Sequence, residues 1–104
     1  GLVIGNNCTI SAGVHIYSHD NLKATLSGNQ IPIERENVTI GKNCYIAPHS
    51  IIAKGVMLGN STVVAAHSFV NRSFPENAII GGIPAKQIGK VINQNNQITF
   101  EYFK

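Results

Sequence analysis

Every sixth residue from Ile4 onward is aliphatic: Ile4, Ile10 and Ile16, then, after one interruption, Ile40, Ile46, Ile52, Leu58, Val64 and Val70. Ile, Leu and Val fill 27 of the 104 positions. Chance would place all nine hits in one phase with a frequency on the order of 10⁻⁵ to 10⁻⁴. The residue after a hit is usually small (Gly5, Ser11, Gly41, Ala47, Ala53, Gly59, Ala65), and the residue four after it is small or slim (Cys8, Val14, Cys44, Ser50, Val56, Thr62, Ser68). Asp20 breaks this second pattern where the interruption begins. A helix needs apolar spacings of three and four, and a half-buried hairpin strand needs a spacing of two. A strict six, with Gly and Asn recurring between hits, predicts short strands joined by tight turns. Three strands close a triangular coil of 18 residues, and coils stack at about 4.8 Å, the ordinary strand spacing. The expected fold class is all-β, a parallel β-helix with the aliphatic column pointing inward.

Coil arithmetic then assigns neighbours. His49 and His67 lie 18 residues apart and stack on adjacent coils, as do Pro48 and Ala66. Cys8 and Cys44 share the slim inward position and read as core residues; two cysteines are too few for a disulfide scaffold. The period fails from Asp20 to about Asn37, a polar stretch containing Gly28, Pro32 and charges of both signs. An excursion of that length from a coil with tight turns is usually functional. It fails again after Val70, where Pro75 ends the pattern and Gly81, Gly82 and Pro84 mark a bend. The reading is one domain over 1–104, with coils at 1–19 and 38–74, a loop at 20–37 and a C-terminal extension at 75–104. The last 14 residues, VINQNNQITFEYFK, read as two short strands around an Asn/Gln turn that cover the open end of the solenoid, since an uncovered end exposes a strand edge.

Composition narrows the function classes. The charged share is 12% and the net charge +3. Eight Lys and Arg spread thinly with almost no aromatic interleaving do not form a nucleic-acid footprint. No apolar run approaches the 18 or so residues of a membrane span, and no signal peptide is evident; two cysteines, too few for a disulfide scaffold, point to a reduced, cytoplasmic location. Arg72, Lys86, Lys90 and Lys104 fall in the last third of the chain, which suits a compact anionic ligand there.

The segment VHIYSHD, residues 14–20, carries the candidate chemistry. His15 precedes an inward aliphatic position and therefore faces outward. His19 sits where the coil breaks into its long loop, pinned on one side by the scaffold. Histidine is the side chain suited to moving a proton near neutral pH; Asp20, Glu34 and Glu36 are all available to orient it. Zinc binding by several of the four histidines and a catalytically silent structural solenoid are the competing readings.

The hexapeptide core, YSHD at the mouth of a loop and GGIPAKQIG after the last coil together resemble the left-handed β-helix acyltransferases, the maltose- and galactoside-type O-acetyltransferases and the sugar O-acetyltransferases of surface-polysaccharide pathways. The resemblance covers about residues 2 to 90. It implies transfer of acetyl from acetyl-CoA to a hydroxyl of a sugar by direct attack in a ternary complex, in a homotrimer with active sites between subunits and with no metal. By the same resemblance His19 is the general base. Ala47 and Pro48 meet the thioester region, Ala66 bonds the pantetheine arm, Asn71 and Arg72 replace a Thr-Lys pair near the cofactor, and Pro84, Ala85 and Lys86 meet the nucleotide end. His15, Asp20 and Tyr45 are the candidates for acceptor contact. The chain departs from the family's usual residues elsewhere too: Tyr45 stands where tryptophan is common, Pro48 removes a backbone donor, and His67 replaces a glycine; Asn71 for threonine is a milder change. The γ-class carbonic anhydrases resemble the chain in fold and trimer, but their histidine pair on one coil lies five apart, whereas His15 and His19 lie four apart.

Overall fold

The computed structural model describes all 104 residues. The six-residue period becomes three coils of two- and three-residue strands. The first holds β1 (Leu2–Ile4), β2 (Thr9–Ile10) and β3 (His15–Ile16). The chain then leaves the coil through β4 (His19–Asp20), α1 (Leu22–Leu26) and β5 (Glu34–Arg35). The second coil is β6 (Val38–Ile40), β7 (Tyr45–Ile46) and β8 (Ile51–Ile52), and the third is β9 (Met57–Leu58), β10 (Val63–Val64) and β11 (Phe69–Val70). Three strands follow: β12 (Ala78–Gly82), β13 (Ala85–Gln94) and β14 (Gln97–Tyr102).

These strands build three parallel faces: β1-β6-β9, β2-β7-β10-β12 and β3-β8-β11. The register keeps each aliphatic hit over the last: Ile10, Ile46, Val64 and Ile80 in one column, Ile16, Ile52 and Val70 in another. Side chains alternate along a strand, so one member of each short strand points in and the next points out. Ile40, Ile46, Ile52, Leu58, Val64 and Val70 are buried together in one core, while Ile4 and Ile10 of the end coil, covered on one side only, remain half-exposed.

The slim inward positions are slim because the corner backbone lies close to them. Ser50 and Ser68 both donate to the Ala65 carbonyl (2.9 and 2.7 Å), and Thr62 donates to the Gly59 carbonyl (2.7 Å). Each buried hydroxyl is thereby satisfied, as a buried polar group must be. Cys44 occupies an equivalent place, and burial pushes its thiol pKa up; both cysteines are free. The corners turn through left-handed backbone, and residue choice follows. Asn7, Asn43, Ser61 and Asn77 (φ 58 to 63°) form one corner column, and Gly13, His49 and His67 (φ 73, 63 and 58°) form the next. Asn tolerates this region better than most side chains. Glycine at 13 also leaves room for the His49 imidazole, which a Cβ there would push aside.

Two features differ from the sequence reading. The excursion contains a five-residue helix, α1, with no side-chain N-cap, so the fold is all-β apart from one helical turn. The C-terminal strands are ten and six residues long rather than short. β13 pairs antiparallel on the free edge of β12, and β14 on β13, so the second face continues past the last coil strand; β13 begins only three residues after β12 ends.

Candidate active site

The excursion folds back on itself at its base. β4 and β5 pair antiparallel, with His19 opposite Arg35 and Asp20 opposite Glu34. The Glu36 N–H donates to the Ser18 carbonyl at 2.9 Å, closing the neck. This hairpin overhangs the third face. A cavity of about 550 Å³ lies between them, lined by His19, Asp20, Asn21 and Ile33 from the excursion, by Tyr17, and by Ile51, Ala53, Lys54 and Phe69 from the coils. Ile51 and Phe69 are the outward members of β8 and β11, so the floor is apolar and the rim polar.

The expected site residues divide into groups. His19 and Asp20 share this cavity. His19 is exposed, with its side chain engaged by no partner within the chain, so none of Asp20, Glu34 and Glu36 acts as its orienter here. Asp20 is engaged elsewhere: Oδ1 accepts the Leu22 N–H at 3.1 Å and Oδ2 pairs with the Lys54 ammonium at 2.8 Å. The Lys54 bond and the Leu22 N–H hold the Asp20 carboxyl below its ordinary pKa, and the same carboxylate raises that of Lys54. His15 stands beside the cavity, not in it. Its Nδ1 lies 3.0 Å from the Tyr17 hydroxyl, and the two rings stack at 5.9 Å. It therefore buttresses Tyr17, which does line the cavity.

Tyr45 is not brought to this site. It is the outward residue of β7 on the second face, where it lines a separate groove of about 640 Å³ with Val63, Ile79, Phe100 and Tyr102. Within one chain Tyr45 and His19 therefore face different grooves, because outward residues of different faces of the same solenoid do not converge.

The remaining expected residues frame the third face. Ala47, Pro48 and Ala66 lie at the corner by which the chain enters it; Asn71 and Arg72 lie at the corner by which it leaves. The Ala47 N–H is already donated to the Val64 carbonyl at 3.0 Å, and Pro48 has none. The exposed Ala66 N–H has no partner within the chain and is the available donor of this corner. Beside it the His49 and His67 rings stack at 5.2 Å and 14°, as the coil arithmetic requires. The Arg72 guanidinium covers the Phe74 ring at 5.3 Å. Pro84 and Lys86 are exposed, whereas Ala85 is buried in the core, so only its backbone can meet a ligand. The four histidines occupy three separate places, and no three His, Cys, Asp or Glu side chains converge to hold a metal within the chain.

Lys54, Tyr17, Ile51 and Phe69 were not singled out from the sequence as site residues. Lys54 was within reach of the coil arithmetic. It lies 18 residues before Arg72 and two after Ile52, which pairs with Ile16; this puts it directly over Ser18, where the excursion leaves the coil.

The family model described as "Bacterial transferase hexapeptide (six repeats)" matches residues 36–72, and that described as "Hexapeptide repeat of succinyl-transferase" matches residues 1–18. The two matches stop on either side of the hairpin. The galactoside O-acetyltransferase of Escherichia coli K12 is 27% identical over 111 residues, covering 99% of this chain and 55% of that protein. Among solved structures, a galactoside acetyltransferase in complex with coenzyme A matches with a TM-score of 0.77 and 30% identity over 86% of this chain and 44% of that one. A hexapeptide-repeat containing acetyltransferase from Vibrio cholerae O1 biovar eltor, complexed with acetyl coenzyme A, matches with a TM-score of 0.79 and 25% identity over 86% and 49%. The chain spans about half the length of the curated relatives it matches.

Proposed function

The chain belongs to the hexapeptide-repeat acyltransferases, and we propose that the protein moves an acetyl group from acetyl-CoA to a hydroxyl of a sugar or saccharide, with His19 as general base. The observation that carries this reading is the placement of His19. The one aperiodic segment of the solenoid holds an imidazole over a cavity with an apolar floor and a polar rim. A sugar hydroxyl is a weak nucleophile until its proton is taken, and a positioned histidine contributes about 10²- to 10⁴-fold. In the proposed step His19 accepts that proton as the oxygen attacks the thioester carbonyl. The tetrahedral adduct then collapses, the C–S bond breaks, and the proton passes from His19 to the departing thiolate of coenzyme A. No acyl-enzyme is needed.

The Ala66 N–H is free to bind the donor's pantetheine arm, and Arg72 and Lys86 are exposed cations suited to its phosphates. Asn71 stands next to Arg72 at the same corner. His19 lacks an orienting partner within one chain, which fits a homotrimer in which a neighbouring subunit completes the site. Supply of acetyl-CoA fits a cytoplasmic setting; no helix is long and apolar enough to cross a membrane. The test is an acceptor panel with acetyl-CoA, read as free thiol release, containing free sugars, nucleotide sugars, serine and chloramphenicol. The reading requires turnover with a saccharide acceptor, and turnover confined to serine or chloramphenicol contradicts it.

A further inference from the structure

Residues 19–35 carry the base and most of the cavity rim, yet they are weakly joined to the scaffold. Their hydrogen bonds and ion pairs run almost entirely among themselves: β4 with β5, the turns of α1, Ser27 with Ile31, and Lys23 with Glu34 at 3.7 Å. One polar contact alone reaches the coils, the 2.8 Å pair between Asp20 and Lys54. The backbone anchors Tyr17 N–H to Ile52 carbonyl (2.9 Å) and Gly55 N–H to Glu36 carbonyl (3.3 Å) lie outside the segment, at its neck. They fix where it begins and ends and not how it leans.

Lys54 is well placed to set that lean. It sits at the coil corner over Ser18, and its side chain is 21% exposed, half the 41% of Asp20. Asp20 neighbours His19 on β4, so a shift of the carboxylate carries the imidazole with it. The charges facing the ammonium are Asp20, Glu34 and Glu36, which favour the hairpin side of the corner.

We propose that Lys54 is a positioning residue for His19, acting through Asp20 to hold the base-bearing hairpin against the coil stack. This rests on the acetyl-transfer reading for its kinetic consequence, but not for its structural one. Misplacement of a reacting group by about 1 Å can cost 10²-fold in rate. Lys54→Met is therefore expected to lower kcat about tenfold or more, leave the KM for acetyl-CoA within about twofold, and speed amide exchange across 19–35 relative to the coil amides. Asp20→Asn keeps an acceptor for the Leu22 N–H but loses the charge, and should behave alike. Since both substitutions cut one link, the double variant should be no worse than the poorer single one by more than about twofold. Lys54→Arg should restore most of kcat. Unchanged exchange and kcat in Lys54→Met overturn the proposal, and so do losses that multiply in the double variant. A wild-type chain that transfers no acetyl group defeats the proposed activity instead, and the exchange comparison then still decides whether the clamp exists.

Discussion

The coils and the excursion at 19–35 obey different rules. In the coils each strand is two or three residues long, yet an inward side chain of the middle coil is held above and below by its counterparts in the adjacent turns. Ile46, Ile52, Val64 and Val70 are fully buried. In the excursion Ala24 alone is buried, while Leu22 and Leu26 of α1 are 62% and 78% exposed. Repetition buys stability without chemistry, since a position repeated in every coil gives no coil a distinct group. The excursion gives up the repeat and gains a position for a unique imidazole.

The sharpest way to break this contrast is to truncate an aliphatic side chain on each side of it. Ile46→Ala should cost about 2–5 kcal/mol by leaving a cavity that neighbouring coils cannot close around. Leu26→Ala should stay within about 0.5 kcal/mol. Equal losses in thermal or denaturant unfolding would show that the excursion contributes to the core after all. Ser50→Ala comes next, at about 1 kcal/mol, because Ser68 still donates to the shared Ala65 carbonyl; a loss as large as that of Ile46→Ala would contradict it.

A smaller effect concerns the pair that joins the two regions. Asp20 is depressed, so its contribution is present above the unfolded value near about 3.9 and fades as pH falls through the lower folded value. Lys54 is raised, so its contribution is present below about 10.4 and fades as pH rises through the higher folded value. The clamp is thus intact across neutral pH and opens at the acid extreme through Asp20 and at the alkaline extreme through Lys54. An NMR titration of the Asp20 carboxyl carbon should have its midpoint below about 3.9 and move up in Lys54→Met; an unmoved midpoint would mean that the ion pair is absent in solution. The smallest effect is at the thiols. With Cys44 buried and its pKa raised, iodoacetamide should modify Cys8 first, and faster labelling of Cys44 would argue that the coils breathe.

Legibility follows the same division. The period of six located the core column, the faces and the His49–His67 stack, because a residue's neighbours 18 positions away are set by counting. It also marked where His19 leaves the scaffold. Counting could not say how 19–35 folds, and there the lone turn of helix and the Asp20–Lys54 pair went unread. Tyr45 shows the same limit: the count assigns it to an outward column but does not say which face the hairpin will shade. The C-terminal strands were legible as strands, but only backbone pairing could show their length and that they continue the second face past β12.

Transfer by the His19→Ala variant is the measurement closest to the centre of this account. If one imidazole on the aperiodic hairpin performs the proton transfer while the coils bind the donor, acetyl transfer should fall by at least about 10²-fold. The thermal stabilisation given by acetyl-CoA should stay as in the wild type. More than a few per cent of wild-type turnover in that variant, with the fold intact, would place the base elsewhere and contradict the account.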